Sequence, residues 1–140
     1  MMIHIETLVN ATIQRAWEAY TSPEHITGWN FANEDWCCPS ASNDLRAGGR
    51  YVARMEAKDG SFGFDFEAVY DEVVPLQKLA YTMEDGRKAI VVFEVISGIQ
   101  TRVSIDFEVE TMNDTEMQRQ GWQAILDNFA RYVEILKQVK

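Results

Sequence analysis

The chain has 140 residues, 46% of them hydrophobic and 25% charged, with a formal net charge of −9. A chain of that size buries enough surface for one ordinary core without metal or disulfide staples, and its balance argues against the disordered and membrane-spanning classes. The acidic excess repels phosphate backbones and anionic lipid surfaces, so neither nucleic-acid binding nor membrane insertion is expected.

No apolar run approaches the roughly 20 residues that span a bilayer, and Met1 to Glu6 shows neither the basic nor the apolar region of a secretion signal. The only cysteines, Cys37 and Cys38, are adjacent, a placement that rarely allows good disulfide geometry. Together these features predict a reducing, cytoplasmic setting. His4 and His25 do not obviously complete a ligand set with the thiols, so no metal and no cofactor is expected.

Residues 3–9 alternate, with Ile3, Ile5, Thr7 and Val9 on one side and His4, Glu6 and Leu8 on the other, which predicts a strand. The period then becomes helical: Ile13, Ala16, Trp17 and Tyr20 recur at i, i+3, i+4 and i+7, with Asn10 or Thr12 as the cap. Ser22-Pro23 reads as the N-cap and first residue of a second short helix, ended by Gly28. From Trp29 to Gly49 no period is sustained, yet Trp29, Phe31, Trp36, Cys37 and Cys38 are unusual company for a loop. That stretch is expected to be partly a lid and partly a short strand near 36–42.

Beyond it, turns at Asp59-Gly60, Pro75, Asp85-Gly86 and Ser97-Gly98 separate five strands at about 50–57, 62–74, 78–84, 87–96 and 100–110. In the last, Val103, Ile105, Phe107 and Val109 alternate with Ser104, Asp106 and Glu108, so one face is buried and the other wet. The same parity turns Tyr51, Ala53 and Met55 inward, then Phe64, Phe66, Ala68 and Tyr70, then Leu79, Tyr81 and Met83, and finally Val91, Phe93 and Val95. Thr115 to Val139 reads as one long helix. Gln118, Trp122, Ile125, Phe129, Tyr132, Val133 and Leu136 share one face, and Glu116, Gln123, Asp127, Glu134 and Lys137 lie opposite. The predicted fold is α+β: a curved antiparallel sheet of about six strands around a long C-terminal helix, two short helices after the first strand, and one domain over residues 1–140.

Specific strings carry a resemblance. They are Ser22-Pro23-Glu24-His25-Ile26-Thr27-Gly28-Trp29, Asn43-Asp44-Leu45-Arg46-Ala47-Gly48-Gly49-Arg50-Tyr51, Met55-Glu56-Ala57-Lys58-Asp59-Gly60-Ser61, Phe64-Asp65-Phe66 with Val69-Tyr70, and Gly121-Trp122. With this element order, the chain resembles the START-like, helix-grip SRPBCC superfamily, in the branch similar to the activator of the heat-shock protein 90 ATPase. The likeness covers nearly the whole chain and implies the helix-grip fold. The superfamily includes lipid-transfer domains, hormone and allergen carriers, aromatase/cyclases and co-chaperone domains on one scaffold, so function must be argued from the site.

The inward residues hold more aromatic surface than an aliphatic core needs, which suits either a ligand cavity or a densely filled interior. The candidate ligand-binding residues are Trp29, Trp36, Tyr51, Met55, Phe66, Tyr81, Phe93, Gln118, Trp122, Ile125 and Phe129. Gln118 has two readings: its amide orients a ligand oxygen, or it folds back onto the Thr115 amide as a capping box. With two histidines no nucleophile and oriented base can be read, so no catalytic residue is assigned, and His25 is expected at the surface. Asp65, Glu67 and Asp106 fall on the wet face, where Arg54 offers a cross-strand partner. The expected function is binding or transport of a small hydrophobic molecule between sheet and helix. The alternatives are a cyclase- or isomerase-type enzyme, in which Tyr51 or Tyr81 polarises a carbonyl of a polyketide-like or aromatic substrate, and a chaperone-interacting module that the resemblance alone implies.

Overall fold

The computed structural model describes residues 2–139, with side chains through residue 136; the expectation for Lys137 lies outside the described side chains. The elements run β1 (Met2–Val9), α1 (Ile13–Thr21), α2 (Pro23–Ile26), β2 (Trp36–Asn43), β3 (Arg50–Ala57), β4 (Gly63–Val74), β5 (Lys78–Met83), β6 (Lys88–Ser97), β7 (Gln100–Glu108) and α3 (Thr115–Val139). The strands form one curled antiparallel sheet in the order β1-β7-β6-β5-β4-β3-β2, a half-barrel around α3.

The sheet therefore has seven strands among the described residues, where about six were expected. The addition is β2, which carries Pro39 and a register shift between Cys37 and Ser40. Both are tolerable because β2 lies at the sheet edge and pairs only with β3. The short strand expected near 36–42 is this one, but its Ser and Asn content and its lack of apolar alternation keep it out of the count of six.

Strand parity holds where the helices cover the sheet. Val103 and Phe107 are fully buried and Ile105 nearly so, while Val109 is partly buried. Ser104 and Asp106 face the other way, and Asp106 Oδ1 bonds His4 Nδ1 at 2.8 Å. On the same outer face Arg54 meets Asp65 at 3.4 Å and Arg50 pairs with Glu67. Burial runs out where cover does: Val95 is 57% exposed, and Phe64, although it faces the helix side, 43%.

Thr12 caps α1 by accepting the Arg15 amide, and Ser22 ends that helix and starts α2 with Pro23 in its first turn. Gly28 does not end α2, which stops at Ile26 with Thr27 as its C-cap. Its small size serves another purpose, because a Cβ there would overlap the ring of Tyr132 on α3. The Tyr132 hydroxyl and His25 Nδ1 are hydrogen-bonded at 2.8 Å, so this close approach locks α2 onto α3. Along α3 the buried seam is Leu126, Phe129, Ala130 and Val133, with Trp122, Ile125, Tyr132 and Leu136 half-buried beside it. Among the described residues no helix is long and apolar enough to cross a membrane.

Candidate functional site

The backbone of α3 runs closest to β1 and α1. Over β3, β4 and β5 a pocket of about 370 Å³ occupies the space between helix and sheet. Its sheet wall is Tyr51 and Met55 of β3, Phe64, Phe66 and Tyr70 of β4, Leu79 and Tyr81 of β5, and Ile105 of β7. Trp122, Ile125 and Leu126 of α3 form the opposite wall; Tyr20, Trp29 and Asn30 close one end. Phe64, the one exposed lining residue, lies with half-buried Arg87 toward the other end of the sheet, near the β7–α3 connection that carries Glu110, and this end is the mouth.

Of the expected ligand-binding residues, Trp29, Tyr51, Met55, Phe66, Tyr81, Trp122 and Ile125 come together on these walls. Four do not. Phe93 is buried edge-on between Trp17 and Tyr20, with ring centres 5.1 and 5.5 Å away. Phe129 is fully buried against Tyr20 and Trp29, each at 5.1 Å. Trp36 sits at the start of the edge strand, packed edge-on with Phe62 and Phe64.

Gln118 follows neither of its readings, because its buried amide staples the β7–α3 connection. Oε1 accepts the Glu110 amide at 3.0 Å, and Nε2 donates to the carbonyls of Glu110 and Asn113 at 3.1 and 2.9 Å. The cap of α3 is instead Asp114, whose carboxylate accepts the amides of Glu116 and Met117. A buried amide with three partners has little left for a guest.

The stretch from Trp29 to Gly49 is likewise not one lid. Trp29 is 3% exposed, and its indole donates to the Ala19 carbonyl at 2.8 Å. Asn128 on α3 donates to the carbonyl of Trp29 at 2.9 Å. These contacts make residues 29–31 a fixed wall, and the chain beyond becomes β2.

The polar groups of the pocket are chiefly phenols. Tyr51 accepts a hydrogen bond from Asn30 Nδ2 at 3.0 Å, and Tyr70 donates to Asn43 Oδ1 at 2.8 Å. Burial pushes Tyr20, Tyr51 and Tyr81 well above the usual tyrosine range and Tyr70 to about 12, the Asn43 bond partly offsetting it. All four are neutral hydrogen-bonding groups at physiological pH rather than phenolate bases. His25 and Tyr132 are bonded to each other and do not line the pocket. The thiol of Cys38 is buried, approaches the Ser40 carbonyl at 3.5 Å, and is pushed up to about 11 by burial. Among the described residues no group of three or more His, Cys, Asp or Glu side chains is placed to hold a metal ion.

Sequence reasoning missed Tyr20, Asn30, Leu126, Arg87 and Glu110 as wall residues, and it turned Phe64, Tyr70, Leu79 and Ile105 inward without placing them among the binding residues. For Arg87 a signal existed. Met83 faces inward and a three-residue hairpin loop closed by Gly86, at φ 92°, follows it, so the residue opposite Met83 faces inward as well.

Among curated proteins no significant match is found. Solved structures provide closer company. The chain is 41% identical to an AHSA1-like protein from Aeromonas hydrophila, covering 98% of this chain and 94% of that one with a TM-score of 0.92. A protein from Cytophaga hutchinsonii is also 41% identical, over 99% of this chain and 95% of that one, with a TM-score of 0.80. A protein from Chromobacterium violaceum shares the fold at 24% identity and a TM-score of 0.84, over 96% of this chain and 98% of that one. The sequence profile described as Activator of Hsp90 ATPase homolog 1-like protein matches residues 10–134, nearly the whole curled sheet and its helix, and the chain belongs to that family.

Proposed function

We propose that this protein binds a small, largely apolar molecule in the pocket between the sheet and α3. The observation that carries this reading is the pocket itself: about 370 Å³ lined mainly by aromatic and aliphatic side chains with a few convergent polar groups. Ligand sites have that composition, and a volume in that range encloses a compact organic molecule. An interior needed only for stability would close on itself, since unfilled space costs contacts on every lining atom. The inner polar groups are neutral phenols and an amide, with Arg87 and Glu110 at the mouth, an arrangement suited to orienting a guest. Carriage rather than conversion is the reading, in a reducing compartment such as the cytoplasm, which suits two free thiols.

The test is a titration of the ¹⁵N-labelled protein with naphthalene and anthracene, alongside native mass spectrometry of the freshly purified protein. Amide shifts confined to residues near Tyr51, Tyr81, Ile105 and Trp122 are expected. If neither hydrocarbon shifts those amides and no small molecule copurifies, the reading fails.

A further inference from the structure

A charged side chain on the inner face of a sheet is unusual, and Arg87 is one. The Met83 amide donates to the Arg87 carbonyl at 2.7 Å, and Tyr81 is registered with Ala89. Arg87 therefore lies one inward position beyond Ala89, diagonal to Tyr81, about 7–8 Å away at the backbone and within reach of a long side chain. It lines the pocket with a side chain only 23% exposed. Its position is held from outside: Nε donates to Asp85 at 2.7 Å and Nη1 to the Glu108 carbonyl at 3.2 Å. Asp85 is 53% exposed, so water screens it far more than the inward side of the guanidinium. A guanidinium has five N–H donors, and these two bonds leave several open.

Tyr81 is 5% exposed and, among the described hydrogen bonds, its hydroxyl has no partner. It is not sealed in either. Among the described residues the one fully enclosed side-chain polar atom without a hydrogen-bond partner is Arg102 Nε, so the Tyr81 hydroxyl is not fully enclosed and opens onto the pocket that Tyr81 lines. The positive charge of Arg87 is also the influence that opposes the rise in the Tyr81 pKa, which places the two groups within electrostatic reach.

We infer that the molecule bound in this pocket is a carboxylic acid, its carboxylate held between the guanidinium of Arg87 and the hydroxyl of Tyr81 and its apolar body lying inward against Leu79, Ile105 and Leu126. Open donors on a planar cation beside an unpartnered phenol match two carboxylate oxygens, and charge-assisted bonds of this kind are the strong ones. Glu110, the other charge at the mouth, is turned to its own turn, where Oε1 accepts the Asn113 amide at 2.6 Å. The inference rests on the reading of the pocket as a ligand site and adds its chemistry.

The experiment compares three acids of different shape, 2-naphthoate, 9-anthroate and dodecanoate, with their neutral primary amides by isothermal titration calorimetry at pH 7. At least one acid is expected to bind roughly tenfold or more tightly than its amide, the scale of one charge-assisted hydrogen bond. Arg87→Gln should abolish the difference, Tyr81→Phe should reduce it while deleting one oxygen from an otherwise unchanged fold, and Glu110→Gln should widen it. Acids and amides binding alike would overturn the carboxylate assignment and leave the pocket reading standing. So would a preference that survives both Arg87→Gln and Tyr81→Phe. If none of the six compounds binds, the pocket reading falls and the assignment with it.

Discussion

A pair of large-to-small substitutions on α3 separates pocket wall from packed core. Phe129 is fully enclosed, with Tyr20 and Trp29 edge-on to its ring at 5.1 Å each. Phe129→Ala removes a buried ring and leaves a void, for which about 3–5 kcal/mol is the usual cost. Trp122 is the larger residue, yet it is half-buried: one face stacks on Phe107 at 3.9 Å with 8° between the planes, and it also lines the pocket. Trp122→Ala therefore enlarges a space already open and loses one aromatic pair, worth about 0.5–1.5 kcal/mol, plus modest apolar burial. A total near 1–2 kcal/mol follows, despite the bigger ring. Urea unfolding followed by far-ultraviolet circular dichroism, which does not depend on the deleted tryptophan, measures both. With a slope of about 1–3 kcal/mol/M, the midpoint should fall by roughly 2 M for Phe129→Ala and by under about 1 M for Trp122→Ala. Equal losses would mean that the Trp122 ring is packed core, and the reasoning that makes it a pocket wall would be wrong.

Three further outcomes are expected. Gly28→Ala should destabilise by about 1–3 kcal/mol through overlap with Tyr132, and Gly28→Ala with Tyr132→Ala should cost less than the sum of the two changes, as a double-mutant cycle can measure. His4 is raised from its ordinary 6.5 by its bonds to Glu6 and Asp106, and Glu6 is lowered from 4.5 by its bond to His4. The His4 contribution is complete below 6.5 and lost as pH rises through the higher folded value; that of Glu6 is complete above 4.5 and lost as pH falls through the lower one. Comparing wild type with His4→Gln by thermal unfolding should thus show a small advantage, greatest between pH 4.5 and 6.5 and fading at pH 8; a gap that grows toward pH 8 would reverse the sign. Iodoacetamide at pH 8 should alkylate half-buried Cys37 well before Cys38, whose thiol is buried and raised to about 11, with equal rates by mass spectrometry counting against that picture.

What the sequence reveals and what it hides follow from how each residue is constrained. The regular alternation of Val103, Ile105 and Phe107 fixes a face because a strand buried on one side leaves no other pattern. The periodic apolar positions of α3 reveal the helix for the same reason. β2 is legible only as a short strand near 36–42 inside a loop, because an edge strand at a bulge is held by pairing rather than by pattern, and Pro39 reads as a break. Within the site, parity separates inside from outside but not wall from core. Phe93 and Phe129 share the inward sense of Tyr81 and Trp122, and only the placement of α1 decides that they are enclosed. Gln118 is misread because its three partners come from Glu110 and Asn113, in a turn without periodicity. Arg87 is overlooked because a charge is assumed to point outward, although the hairpin loop before it sets its direction.

The place of β1 has a consequence for how the chain comes to be folded. β2 to β7 follow one another across the sheet, so each can dock on its predecessor as soon as it exists. β1 cannot, since its partner is the last strand, Ile5 lying opposite Ile105. At about 5–20 residues per second of synthesis, the first strand waits on the order of 5–20 s for the segment that completes it. During that interval Ile3, Ile5 and Val9, later almost wholly enclosed, have no sheet to join. Closing so long a loop is entropically slow, which makes capture of β1 by β7 the natural last step of assembly and the free edge of β7 its most aggregation-prone moment.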